Sequence, residues 1–292
     1  MCSSDLQAVI VGDAEVDQHV HRAHAAVHRQ DRTRRVGCGD GPGLALVGDG
    51  TAIVGRLDDP PQLDLALLEG PDRRVVHSLG RDSILREAHA SLERLGVDAI
   101  DLYQIHWPIP DEDIEEGWSA FAELKEQGLV RHIGVSNFDL EQLQRIQQIA
   151  PVETLQPQYS LIERDVEGEI LPFAERQDIG VIVYSPMGSG LLTGRMTRGR
   201  IASMPEDDWR KQDPRFREPE LSRNFEIVDR LAAVAERHDT VPGAVAIGWT
   251  LRNPAVDGAI VGFRSPEQID PLIEAANLEL SEDDITTIEG DR

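Results

Sequence analysis

From Asp98 onward the chain repeats one plan: a short, apolar, β-branched run ends in a polar tip, and an amphipathic segment with a cap or a terminal glycine follows. The first copy, Asp98-Ala-Ile-Asp-Leu-Tyr-Gln-Ile-His-Trp-Pro108, predicts a buried parallel strand that delivers His106 at its carboxyl end. Parallel strands cannot be joined by tight hairpins, so a helix between each pair of runs means an α/β fold built on a parallel sheet.

The spacing carries that plan to the end of the chain. Ile84, Leu85, Ala88, Leu92 and Leu95 share one helical face, and Gly96 supplies the stop. Trp118, Phe121 and Leu124 line a second helix closed by Gly128, and the strand that follows, from Val130, ends in Ser136-Asn137. Asp139 caps a third helix whose Leu143, Ile146 and Ile149 are expected to face inward, and Pro151 ends it. A strand over 153–158, a helix near 165–177 and a strand from Gly180 to Pro186 follow. The stretch from Met187 to about Ser222, rich in glycine, proline and charge, is expected to be a functional loop. Helices over 223–238 and 242–252, a strand over 258–262 and two closing helices complete the chain, the last opened by Ser281 and Asp284. That pair resembles a capping box, with aspartate expected to be too short for the reciprocal contact. Five strands are visible.

A formal charge of -24, from 53 acidic against 29 basic residues, argues against nucleic acid and anionic membrane as partners. No apolar run approaches a membrane span and no signal-peptide pattern stands at Met1, so a cytoplasmic protein is expected. Cys2 and Cys38 form neither a metal nor a redox spacing. Residues 1–77 show no persistent period and no recognisable fold, and 78–292 form the portion with a readable plan. In the front segment His21, His24 and His28 would share a helical face, but no carboxylate or cysteine completes a metal site, and no metal is expected. Its glycines match neither phosphate-binding fingerprint.

Five segments together resemble the aldo-keto reductases: Asp101-Leu-Tyr-Gln-Ile-His-Trp-Pro108, Ile133-Gly-Val-Ser-Asn-Phe138, Leu155-Gln-Pro-Gln-Tyr-Ser160, Tyr184-Ser-Pro-Met-Gly-Ser-Gly-Leu-Leu-Thr-Gly194 and Ile260-Val-Gly-Phe-Arg-Ser-Pro-Glu-Gln268. They stand in family order over about residues 79–292. The resemblance implies a (β/α)8 barrel of TIM type, of which about five of eight units are recognisable, and a nicotinamide cofactor, NADPH in preference to NADH. It implies that Ser136, Asn137 and Gln156 hydrogen-bond the nicotinamide carboxamide and that Tyr184 stacks on the ring. Ser185, Pro186, Met187, Ser189 and Leu191 fall in the loop that meets the pyrophosphate, and Gly262, Arg264 and Gln268 fall at the adenosine end, where an arginine suits a 2′-phosphate. His106 matches the histidine that orients and polarises a small-molecule carbonyl substrate. Oligomeric state is left open.

The family's reaction also uses a tyrosine as proton donor, with a lysine and an aspartate that lower its pKa, from earlier strands. The four tryptophans, three tyrosines and six phenylalanines of this chain all lie at or after Tyr103, and the two lysines are Lys125 and Lys211. The catalytic tyrosine and lysine therefore have no counterpart in the sequence. One account joins the missing strands, the missing aromatics and the His/Arg/Gly/Asp bias: residues 1–77 are a wrong-frame reading of GC-rich DNA. The expectation is an aldo-keto reductase-like oxidoreductase impaired or inactive as written; the rival is a non-catalytic NADPH-binding module.

Overall fold

A computed structural model describes residues 7–11, 78–263 and 268–290. The histidine cluster of the front segment and Arg264 lie outside these residues. The described chain divides into two compact units, one of residues 78–157 with 167–182 and one of 158–166 with 183–290. The five strands read from the sequence are all present: β2 (Ile100–Ile105), β3 (Val130–Ser136), β4 (Thr154–Gln156), β5 (Gly180–Tyr184) and β6 (Gly258–Phe263). The segment for which the sequence offers no fold contributes a further strand, β1 (Gln7–Val11). Within the first unit the hydrogen-bond order is β5-β4-β3-β2.

In the first unit β2, β3, β4 and β5 pair in parallel, with Ile105 opposite Val135, Ser136 opposite Gln156 and Leu155 opposite Val181. Helices α1 (Arg81–Leu95), α2 (Ile114–Glu126), α3 (Leu140–Ile146) and α4 (Ile170–Arg176) belong to the same unit. Gly96 ends α1 in the left-handed conformation, with φ 66° and its N–H on Leu92 O at 2.9 Å. Trp118 and Leu124 on α2 are fully buried, and Trp118 donates its indole N–H to Ala150 O at 3.0 Å. Asp139 and Gln142 form a reciprocal capping box at the start of α3. Ile149, expected inside with Leu143 and Ile146, is instead 42% exposed. The helix stops at Ile146, so the helical period that would bring residue 149 inward no longer applies.

Glu153, just before β4, joins the strand layer to α2: it accepts from the Ile133 backbone N–H at 3.0 Å and pairs with Lys125 and His132. Burial alone would push its carboxyl up, but His132, Lys125 and the Ile133 N–H outweigh it and hold it down at about 2, against an ordinary 4.5. A carboxyl depressed in the fold stabilises it above the unfolded-state value and loses that contribution as pH falls toward the folded value. Glu153→Gln is therefore expected to cost about 1 kcal/mol near neutral pH, discounted because the carboxylate keeps a quarter of its surface in water. The gap to wild type, read from urea midpoints, should close between pH 5 and pH 2, roughly the span of the two values.

The second unit holds α5 (Arg198–Ala202), α6 (Glu220–Arg237), α7 (Pro242–Leu251), β6, α8 (Ile269–Ile273) and α9 (Glu282–Glu289). Pro242 opens α7 in its first turn, as expected, and Ala244 through Ile247 and Trp249 have no exposed surface, which makes α7 a helix buried on nearly every side. The stretch from Met187 to Ser222 is not an open loop: Leu191, Met196, Ile201, Met204, Phe216 and Leu221 form a buried cluster of their own. At α9 the capping box is complete. Ser281 donates its N–H to Asp284 Oδ2 at 3.0 Å and Asp284 returns the bond to Ser281 Oγ at 3.2 Å, so aspartate reaches after all. The same carboxylate meets His238 Nε2 at 2.9 Å and is held down at about 2: burial opposes this, and His238 and Ser281 outweigh it.

Candidate active site at the strand ends

Side chains alternate across a strand, so residues two apart on β2 share a face and residues three apart do not. Tyr103 accordingly faces the helix layer, where its ring stacks on Phe121 with centroids 4.8 Å apart. Burial there raises its phenol well above the ordinary value, Glu87 adds to this, and Arg94 and Ser91 oppose it. His106 lies past the end of β2, exposed, with Trp107 beside it.

Three of the residues expected at the nicotinamide are bonded to one another at the strand ends, and one of them, Asn137, reaches His106. Ser136 ends β3 directly opposite Gln156 on β4 and donates its hydroxyl to Gln156 O at 2.7 Å. Asn137 follows in the left-handed conformation, φ 63°, which turns its side chain out of the strand direction. Its Nδ2 donates to the His106 carbonyl at 3.0 Å and to Ser136 Oγ at 3.0 Å, and its own N–H donates to Gln156 O at 3.3 Å. The bonds tie the ends of β2, β3 and β4 together and place a hydroxyl and two amides side by side. Such a set can meet both the donor and the acceptor of a carboxamide.

Gln104 is the residue here that the sequence reading missed. It shares the His106 face of β2, two residues earlier, and alternation was the signal that would have found it. Gln156 donates Nε2 to Gln104 Oε1 at 2.9 Å, and Gln104 donates Nε2 to Thr154 Oγ1 at 2.9 Å. Gly134 makes the second bond feasible: it stands in register between Gln104 and Thr154, and a Cβ there would lie 1.9 Å from Thr154 Oγ1.

In the second unit Tyr184 is half-buried and donates its phenol to Gln158 Oε1 at 3.4 Å. Burial pushes its pKa up, with Arg215 opposing and Glu163 adding. The stretch after it folds back on itself, with Gly188 N–H on Ser185 O and Leu192 N–H on Met187 O. Ser185, Gly188, Ser189 and Gly190 all have positive φ, from 55° to 92°. Met187 and Gly188, at φ −94° and 56°, alternate in the way that turns successive N–H groups into an anion-binding concavity. A Cβ at 188 would also lie 2.6 Å from Ile162 Cδ1, so any larger residue there would displace the end of that side chain. Pro186, Met187 and Leu191 are buried, which leaves to this stretch its backbone and the part-exposed Ser185 and Ser189. Gly262 and Gln268 are part-exposed beside the undescribed residues 264–267.

A sequence profile of the aldo/keto reductase family matches residues 70–290. The chain belongs to that family. Aldo-keto reductase YhdN of Bacillus subtilis is 35% identical over 84% of this chain and 74% of its own length. The NADH-specific methylglyoxal reductase of Escherichia coli is 31% identical over 74% of this chain and 66% of its own. Among solved structures, the glycerol dehydrogenase of Gluconobacter oxydans superposes with a TM-score of 0.70 at 33% identity, over 75% of this chain and 66% of that one. The chain thus spans about two thirds to three quarters of these aldo-keto reductases. Their fold is of the (β/α)8-barrel type, the family's cofactor is a nicotinamide dinucleotide, and its substrates are small carbonyl compounds. Among the described residues no helix is long and apolar enough to cross a membrane, and no group of metal-ligating side chains gathers.

Proposed function

We propose that this chain binds NADPH in preference to NADH and that His106 orients the carbonyl of a small aldehyde or ketone. Its own chemistry is impaired by the lack of the family's tyrosine and lysine. The observation that carries the reading is the bonded set of Ser136, Asn137 and Gln156 beside His106. Gln156 donates its Nε2 to Gln104, and its Oε1 accepts no bond from the described residues, so one acceptor is available to a carboxamide N–H. To donate to the carboxamide oxygen, the Ser136 hydroxyl or Asn137 Nδ2 would exchange one of the bonds each makes in this structure. In the second unit the positive-φ run from Ser185 to Gly190 suits a pyrophosphate, and the half-buried Tyr184 ring suits stacking on a nicotinamide. The bound dinucleotide supplies the hydride; the chain's residues fix the amide, and His106 offers a hydrogen bond to the carbonyl oxygen.

The NADPH preference rests on Arg264, whose guanidinium matches a 2′-phosphate, and the E. coli relative's NADH-specific name is the argument on the other side. Titrations of NADPH and NADH followed by tryptophan fluorescence test the reading. Saturable quenching with NADPH tighter is expected; tighter NADH reverses the preference, and no binding of either removes the cofactor reading.

Most of residues 1–77 we read as a wrong-frame translation; the family match begins at residue 70, so we set the return to the family frame ahead of Leu79. The front segment's lack of any aromatic residue or lysine supports this. Translating the parent DNA in every frame should recover a tyrosine-bearing and a lysine-bearing strand upstream; finding neither leaves a divergent NADPH-binding module as the better reading.

A further inference from the structure

We propose that Gln104 is a positioning residue for the cofactor: it sets the orientation of the Gln156 amide, so that Oε1 is the atom offered to the nicotinamide carboxamide. The inference rests on the cofactor reading above and adds to it a residue that makes no ligand contact. Two same-face rows of side chains cross β2, β3 and β4. The lower row is Gln104, Gly134 and Thr154; one same-face step on, the upper row is Ser136 and Gln156, with His106 just past the end of β2. Gln156 reaches back from the upper row to the lower, giving Nε2 to Gln104 Oε1 at 2.9 Å. Gln104 is held in turn by its Nε2 bond to Thr154 Oγ1, a residue with no exposed surface.

A carboxamide has two poles, and which one points outward is decided by the partner that takes the other. With Nε2 committed below, Gln156 presents an acceptor above; without Gln104 the amide is free to flip and present a donor. A row built only for packing would be apolar, since a chain of buried polar groups gains little over well-packed hydrocarbon and loses much if one partner fails. Here the row is polar, and its middle member has no side chain, which is what allows the Gln104 amide to cross β3.

Isothermal titration of the full chain with NADPH and with 2′,5′-ADP, which lacks the nicotinamide, tests this in wild type, Gln104→Leu and Thr154→Val. Loss of the bond that fixes Gln156 should weaken NADPH roughly tenfold in Gln104→Leu. Loss of the more distant support should weaken it about threefold in Thr154→Val. Both variants should bind 2′,5′-ADP as wild type does, which also shows that they are folded. If wild type takes NADH better, NADH and ADP serve as the pair. Unchanged dinucleotide affinity in Gln104→Leu overturns the proposal, and so does an equal loss for dinucleotide and fragment, which marks a merely structural role. A wild-type chain that binds neither dinucleotide overturns the cofactor reading itself, and the two failures are thereby told apart.

Discussion

Assayed beside the Bacillus subtilis reductase with NADPH and a common aldehyde, this chain should oxidise the cofactor on the order of a hundredfold more slowly, or worse. A positioned proton donor is worth about that factor, and among the described residues neither Tyr103 nor Tyr184 is set up to be one. Tyr103 is the first tyrosine, but it faces the helix layer, stacks on Phe121, and has a phenol made less acidic by burial. Tyr184 is likewise shifted upward by burial and donates to Gln158. Lys125, the earlier of the two lysines, pairs with Glu153 from α2. In the function proposed above, His106 polarises the carbonyl and no family-type tyrosine stands in the sequence to protonate the oxygen. A rate within a few-fold of the relative would mean that another group supplies the proton.

Trp118→Ala should lower the stability of the first unit by about 4 kcal/mol. Trp118 has no exposed surface, its ring lies 6.0 Å from Phe121, and its indole N–H is bonded to Ala150 O. Truncation therefore removes the largest wholly buried side chain of α2, opens a cavity, and leaves a carbonyl without its donor. Denaturant midpoints followed by circular dichroism read the loss, and a change below about 1 kcal/mol would show that α2 contributes little to that unit's core.

The strands and helices from Arg81 on were legible because each carries an apolar period and an end signal. Gly96, Asp139, Pro242 and Ser281 punctuate the chain where the sequence places them. Ile149 was misread because periodicity extends past a helix end that backbone geometry sets. The reach of Asp284 was underestimated because aspartate's length was weighed without the close approach that the Ser281 turn permits. The stretch after Met187 hid a small core because its apolar residues are spaced by loops and follow no period. The candidate site was named through motifs, which single out His106, Ser136, Asn137 and Gln156 by position, and the structure brings Ser136, Asn137 and Gln156 into one bonded set. Gln104 was not, since its role lies in a bond across β3 that depends on a missing side chain at Gly134.

The central claim, that the amides at the ends of β3 and β4 hold a nicotinamide, is tested most directly by the NADPH affinity of Asn137→Gly. Glycine keeps the left-handed backbone without strain and removes only the amide. The account predicts at least roughly tenfold weaker NADPH binding with 2′,5′-ADP affinity unchanged. NADPH affinity equal to that of wild type would contradict it.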